Sequence, residues 1–278
     1  MGLLQAIVLA VAQGATEFLP VSSSGHMVLV PAFLGWQPAP LDYVIVVHFG
    51  TLMAVVAYYR RDLWAVLAAI FSGHRVQDKG GPLGNNDGRR LALLIIVATV
   101  PAAVAGLAFA DFIDNLFTGA GPLPVAVALL VTSALLYAAD RFSGKGEPGE
   151  LSWCDAALIG VAQAIAIIPG VSRSGSTIAA GLWRGLSQEW APRFAFLMSI
   201  PPIAGAFGIA LKDAAGTTQW ATELPCYVCG FVVSAVVGYI SIYAVIRTVQ
   251  QGRLFVRFGI YCLILGSFSI LANLIGWV

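Results

Sequence analysis

Gln13-Gly14-Ala15-Thr16-Glu17-Phe18-Leu19-Pro20-Val21-Ser22-Ser23-Ser24-Gly25-His26 is a polar interruption in an apolar stretch, and Pro169-Gly170-Val171-Ser172-Arg173-Ser174-Gly175-Ser176-Thr177 is a second. The two are related. Sliding the chain against itself by 150 residues sets Val11-Ala12-Gln13 on Val161-Ala162-Gln163, Val21-Ser22 on Val171-Ser172 and Ser24-Gly25 on Ser174-Gly175, with Ser23 facing Arg173. Short apolar segments broken by glycine and proline at corresponding places in two halves mark discontinuous helices whose tips meet near the middle of a bilayer. The expected fold is therefore all-α. It is a polytopic membrane protein with an inverted-topology repeat, its halves falling at roughly 1–140 and 141–278 of a single integral membrane domain.

Composition points the same way. Of 278 residues, 59% are hydrophobic and 10% charged, with a mean hydropathy of +0.85, where a soluble domain carries roughly a quarter charged residues. So few charges cannot cover a water-facing surface, and a net charge of +1 gives no reason to expect nucleic-acid binding. Cys226 and Cys229 form a C-x-x-C without a second Cys or His pair near them, so they read as small helix residues rather than a metal or redox site. The apolar start, Leu3 to Leu19, lacks a basic leader and contains Gln5, Gln13 and Glu17, so it reads as part of the fold rather than a cleavable signal.

A helix needs roughly 20 apolar residues to cross a bilayer. Full spans are expected at 42–59, 91–110, 123–139, 192–211, 225–246 and 254–276. The stretches 3–19, 27–36, 63–71, 155–168 and 177–186 are too short or too interrupted to cross alone. Arg60, Arg61, Arg75, Lys79, Arg89 and Arg90 crowd one connection, Arg141 and Lys145 another, and Arg247, Arg253 and Arg257 a third. By the positive-inside rule these are cytoplasmic, and the acidic connections with Asp111, Asp114 and Glu223 lie outside. Six spans alternate consistently only if 3–36 and 153–187 are re-entrant hairpins, the first dipping in from outside and the second from the cytoplasm, with both termini outside. Trp36, Trp64, Trp153, Trp190, Trp220 and Trp277 fall near span ends, as an interfacial belt requires.

Ionisable groups inside apolar stretches are costly and functional by default; here they are Glu17, His26, His48 and Arg173. Gln13 and Glu17 share a helix face, and Pro20 ends that helix. The serines and glycines after it leave backbone N–H groups to point at an anion where the next helix begins. Arg173 adds a guanidinium fork suited to a phosphate. Phosphoryl transfer needs an in-line nucleophile, charge neutralisation and proton management. Ser22, Ser23 or Ser24 can attack, any of them can equally cap a helix, and Glu17 or His26 can serve as base or acid. His48, alone on an apolar span, reads as a structural hydrogen bond.

Gln13-x-x-x-Glu17 followed by Phe18-Leu19-Pro20-Val21-Ser22-Ser23-Ser24-Gly25-His26, with Pro169-Gly170-x-Ser172-Arg173-Ser174-Gly175-x-Thr177 downstream, resembles the bacterial undecaprenyl-diphosphate phosphatase family linked to bacitracin resistance. Phe49-Gly50-Thr51 and Ser199-Ile200-Pro201 extend the likeness along the chain. The resemblance implies hydrolysis of a polyprenyl diphosphate to its monophosphate, recycling the carrier for peptidoglycan precursors, in the bacterial inner membrane with the site open to the periplasm. It implies Glu17, Ser23, His26 and Arg173 as catalytic residues, with Gln13, Ser22, Ser24, Ser172, Ser174 and Thr177 around the substrate. His48 stands where better-known members carry Gln.

A divalent cation is associated with such enzymes. With Glu17 as the single carboxylate of the pair, Mg²⁺ or Ca²⁺ is expected to bind chiefly through the diphosphate, without an all-protein metal site and without an organic cofactor. Ser24-Gly25-His26 also occurs in the other bacterial lipid-phosphatase superfamily, whose further Lys/Arg-Pro and Arg/His signatures this chain lacks. The rival from another class is a carrier or flippase for the lipid phosphate, since inverted repeats with broken helices also build transporters. An intramembrane serine protease is disfavoured, because Arg173 in a donor-rich loop suits an anion better than a peptide. The sequence leaves the oligomeric state open, a homodimer included.

Overall fold

The computed structural model describes residues 1–72, 88–109, 121–142, 151–214, 219–250 and 254–277. The helices are α1 (Leu3–Thr16), α2 (Ser23–Leu34), α3 (Leu41–Tyr58), α4 (Arg60–Ser72), α5 (Gly88–Ala108), α6 (Pro122–Phe142), α7 (Trp153–Ile165), α8 (Arg173–Trp183), α9 (Trp190–Leu197), α10 (Ile200–Ala214), α11 (Gln219–Gln250) and α12 (Leu254–Leu274). No strand occurs among the described residues.

Six segments are long and apolar enough to cross a membrane: Leu41–Tyr58, Gly88–Ala108, Pro122–Arg141, Trp190–Ile209, Glu223–Val249 and Phe255–Leu274. They match the six spans expected from sequence. Leu107, Ile240 and Ile264 stand open on the surface of this bundle, an arrangement tolerable only against lipid. The chain is a multi-pass membrane protein. The span at 190–209 is not one helix: Met198 and Ser199 form a turn between α9 and α10, because Pro201 and Pro202 have no N–H to continue a ladder and fit only a helix's first turn.

The short segments pair into two hairpins. With 14 and 12 residues, α1 and α2 reach only about 21 and 18 Å, short of the ~30 Å hydrocarbon core. In each hairpin the two outer ends are joined by a hydrogen bond. The Gln5 amide donates to the Gln37 carbonyl at 3.0 Å, and the Arg184 guanidinium donates to Asp155 at 2.5 Å. Local sequence sets their boundaries. Ser22 caps α2, whose far end stops at Gly35 in the left-handed region (φ 63°). Ser152 and Asp155 form a reciprocal capping box on α7, and Ser172 caps α8.

The two halves interlock. Helix α1 packs chiefly on α11 of the second half, and α7 packs chiefly on α5 of the first; α6 and α12 pack against each other, α6 reaching both hairpins and α12 the first. The largest buried cluster runs across this seam, from Phe18 and Leu29 through Leu94 and Leu129 to Ile159, Ile178 and Leu197.

One expectation changes. Trp190 is buried and carries Arg193 over its ring, so it belongs to a packed cation–π contact rather than an interfacial belt. Trp64, Trp153 and Trp277 are exposed as a belt requires. Cys226 and Cys229 are free cysteines on α11. Arg75, Lys79, Asp111, Asp114, Lys145 and Arg253, used in reasoning about orientation, lie outside the described residues, as does the side chain of Trp220.

Candidate active site

The two polar segments meet tip to tip. The Ser24 hydroxyl accepts from the Gly170 N–H at 3.4 Å, and the Ser174 hydroxyl donates to the Leu19 carbonyl at 3.0 Å. Ser24 and Ser174 are repeat counterparts, and each reaches the turn of the opposite hairpin. At this junction lies Glu17, on the turn that follows α1.

Glu17 is 5% exposed, and a buried carboxylate has to be paired or richly hydrogen-bonded. Its oxygens take the Ser23 hydroxyl at 2.5 Å, the Gln13 amide at 2.7 Å and the Arg173 guanidinium. The repeat alignment's pairing of Ser23 with Arg173 thus appears as convergence on one carboxylate. A carboxylate accepting a serine O–H has the geometry of a general base. Arg173 enters at the N-terminus of α8, and its side chain is 24% exposed, leaving further N–H groups of its fork for an anion beside Ser23.

The other expected residues take different posts. Ser22 and Ser172 accept from the N–H groups of Gly25 (3.2 Å) and Gly175 (3.0 Å), and so act as caps. Thr177 turns its hydroxyl back to the Arg173 carbonyl at 2.8 Å. The His26 ring is held by other partners: its Nδ1 lies 2.7 Å from the Ser22 carbonyl and its Nε2 2.7 Å from the Tyr261 hydroxyl. Both ring nitrogens of His26, expected as acid or base, are thus hydrogen-bonded. Ser22 itself has φ 66° and ψ 93°, the only positive φ at a non-glycine among the described residues. Such a conformation costs on the order of 1–3 kcal/mol and persists where its surroundings hold it.

Sequence reasoning missed two neighbours, Thr132 and Tyr261, and gave a third, His48, a structural role only. His48 Nε2 comes within 3.7 Å of Glu17 while its Nδ1 lies 2.7 Å from the Val44 carbonyl. It therefore has the structural hydrogen bond expected and a place beside the cluster as well; the available signal was its being ionisable in an apolar span. Thr132 on α6 donates to the Gly170 carbonyl at 2.9 Å and accepts from the Ser172 N–H at 3.0 Å. Tyr261 on α12 reaches His26. Nothing in the linear order ties these two residues to the polar segments.

The second hairpin repeats the scaffold without the acid. Position 167, matching Glu17, is Ile167, and Gln163, matching Gln13, is buried with neither amide atom hydrogen-bonded. Among the described residues no cluster of His, Cys, Asp or Glu could cage a metal ion. Glu17, with its oxygens already taken by three donors, does not supply an all-protein divalent site.

This geometry can be set beside known proteins. The chain is 38% identical to an undecaprenyl-diphosphatase of Methanosphaera stadtmanae over 99% of both chains. It is 44% identical to one of Alcanivorax borkumensis over 94% of this chain and 96% of that one. A third relative of the same name, from Korarchaeum cryptofilum, is 39% identical over 96% and 97%. The family described as bacitracin resistance protein BacA matches residues 6–268, the whole fold from α1 into α12, and the chain belongs to that family.

Proposed function

We propose that the chain hydrolyses undecaprenyl diphosphate to undecaprenyl phosphate and inorganic phosphate, recycling the lipid carrier for peptidoglycan synthesis. One observation carries the mechanism: a buried carboxylate that accepts the Ser23 O–H while an arginine stands on its other oxygen. Ser23 Oγ attacks the terminal phosphorus, Glu17 takes its proton, and the bond to the bridging oxygen breaks to release the lipid monophosphate. Glu17 passes that proton to the departing phosphate and is a base again; water then attacks the phosphoserine phosphorus, Glu17 takes a proton from the water and returns it to Ser23 Oγ as the P–Oγ bond breaks, and inorganic phosphate leaves. Arg173 neutralises the charge that builds on the equatorial oxygens. The Ser172 and Ser174 region beside it holds the diphosphate.

A divalent ion would be held chiefly by the diphosphate itself, beside Glu17 and Arg173, and would supply charge neutralisation. The protein lies in the cell membrane with the site open to the outer side, as the family resemblance implies; the basic residues at one end of the bundle support placing that end in the cytoplasm.

Purified protein given the lipid diphosphate is expected to release inorganic phosphate, whereas a carrier for the lipid monophosphate releases none. Because Ser22 is the residue that caps α2, Ser23→Ala leaves the cap intact. Its turnover should fall at least ~100-fold, about 2.7 kcal/mol of transition-state stabilisation. A folded Ser23→Ala that keeps more than about a tenth of wild-type phosphate release, a loss under ~1.4 kcal/mol, excludes Ser23 as nucleophile and leaves attack to water.

A further inference from the structure

We propose that Tyr261 is a positioning residue, acting through His26 and the Ser22 carbonyl to hold the turn that aims Ser23 at Glu17; this rests on the phosphatase reading above. The hydrogen-bond roles along the chain of contacts are fixed by chemistry. A carbonyl oxygen only accepts. The Ser22 carbonyl takes the His26 backbone N–H at 3.2 Å and lies 2.7 Å from the ring Nδ1, so Nδ1 carries the proton. In the neutral ring Nε2 is then an acceptor, and the Tyr261 O–H, 2.7 Å away, is its donor. The two ring planes are parallel to within 4°, with centroids 5.8 Å apart.

The brace ends on the strained residue. Ser22 is held at φ 66° by two donors on one carbonyl, and Ser23 is the next residue. The second hairpin provides the control. There Ser172 has an ordinary φ of −72°, and Ser176 stands where the first hairpin has His26. The flanking helices correspond too: Thr132 of α6 donates to the carbonyl of Gly170, and Cys262 of α12 makes the matching contact at 3.9 Å to the carbonyl of Pro20, the counterpart of Gly170. Tyr261 therefore corresponds to Val131, which has no hydroxyl. The brace is present in the hairpin with the strained turn and the acid, and missing from the hairpin with neither.

A shuttle role for His26 and this positioning role predict opposite outcomes for Tyr261→Phe, a change that removes one oxygen and keeps the ring. Positioning predicts at least a fivefold fall in kcat with KM within about twofold. A shuttle predicts unchanged or raised kcat, because Nε2 is freed, and that result overturns the proposal. His26→Asn places an amide N–H near where Nδ1–H was, whereas His26→Gln places its amide nearer Nε2. Positioning requires Asn to keep at least five times the kcat of Gln; equal losses overturn it. Nitrogen NMR of ¹⁵N-histidine-labelled protein reads the tautomer without any turnover. Protonation of His26 at Nδ1, with an Nε2 signal that moves on Tyr261→Phe, is expected; protonation at Nε2 refutes the brace. Absence of phosphate release from wild-type protein with that tautomer intact overturns the phosphatase reading alone.

Discussion

Glu17 and Arg173 depend on each other. A carboxylate 5% exposed, with a guanidinium against it, is tolerated because every oxygen is matched by a donor. Arg173 has a second task, holding phosphate oxygens through the rest of its fork, which a lysine ammonium cannot reproduce. Arg173→Lys keeps the charge and the ion pair but is expected to lose at least tenfold in kcat, about 1.4 kcal/mol, with thermal stability in detergent changed little. Near-wild-type turnover at matched protein amount would reject the bidentate clamp. Residue identities at this site were legible in sequence because polar groups in apolar stretches are conspicuous. Their division of labour was not. Whether a serine caps, clasps or attacks depends on turn geometry, such as Ser22 at φ 66°, that no spacing rule encodes.

Elements are placed by close approach. A Cβ added at Gly14 would lie 2.8 Å from the Val237 Cβ and 2.9 Å from the Ser234 carbonyl, so α1 sits on α11 only because position 14 is glycine. Gly160 does the same for α7, facing the backbone of Ala98 on α5. Gly14→Ala should push α1 off α11, lowering stability by roughly 1–3 kcal/mol and displacing Glu17 one turn along. The expected reading is a lower melting temperature in detergent together with reduced turnover; an unchanged pair of values would show that α1 can slide without consequence. Helix lengths were legible because bilayer thickness sets them. The break at Met198-Ser199 was not anticipated, although Pro201 and Pro202 were in plain view, since hydropathy is blind to a missing N–H.

Over the whole molecule, the ends of the bundle differ in charge. Arg89, Arg90, Arg184 and Arg193 gather at one end, pinned to Ala69, Leu151, Asp155 and Asp62. At the other, the N-terminal ammonium meets Glu223 at 3.0 Å, and Gln5 meets Gln37. The positive-inside rule puts the basic end in the cytoplasm, so Gln37 is expected outside and Gly185 inside. On a cysteine-free background, Gln37→Cys should react with an impermeant reagent in intact cells and Gly185→Cys only after lysis; the reverse pattern inverts the topology. The six crossings were legible from composition, the interlock only from coordinates, because the offset of 150 residues shows that two segments are alike and not what each rests upon. That interlock bears on how such a gene can change. After a duplication one copy is ordinarily free to drift while the other keeps the activity. Here Ile167 stands where the active hairpin has Glu17, yet the acid-free copy supplies Arg173, seats α1 through α11 and grips Leu19 through Ser174. The half without the acid is therefore held to its sequence by the half that has it, and the two can diverge only together.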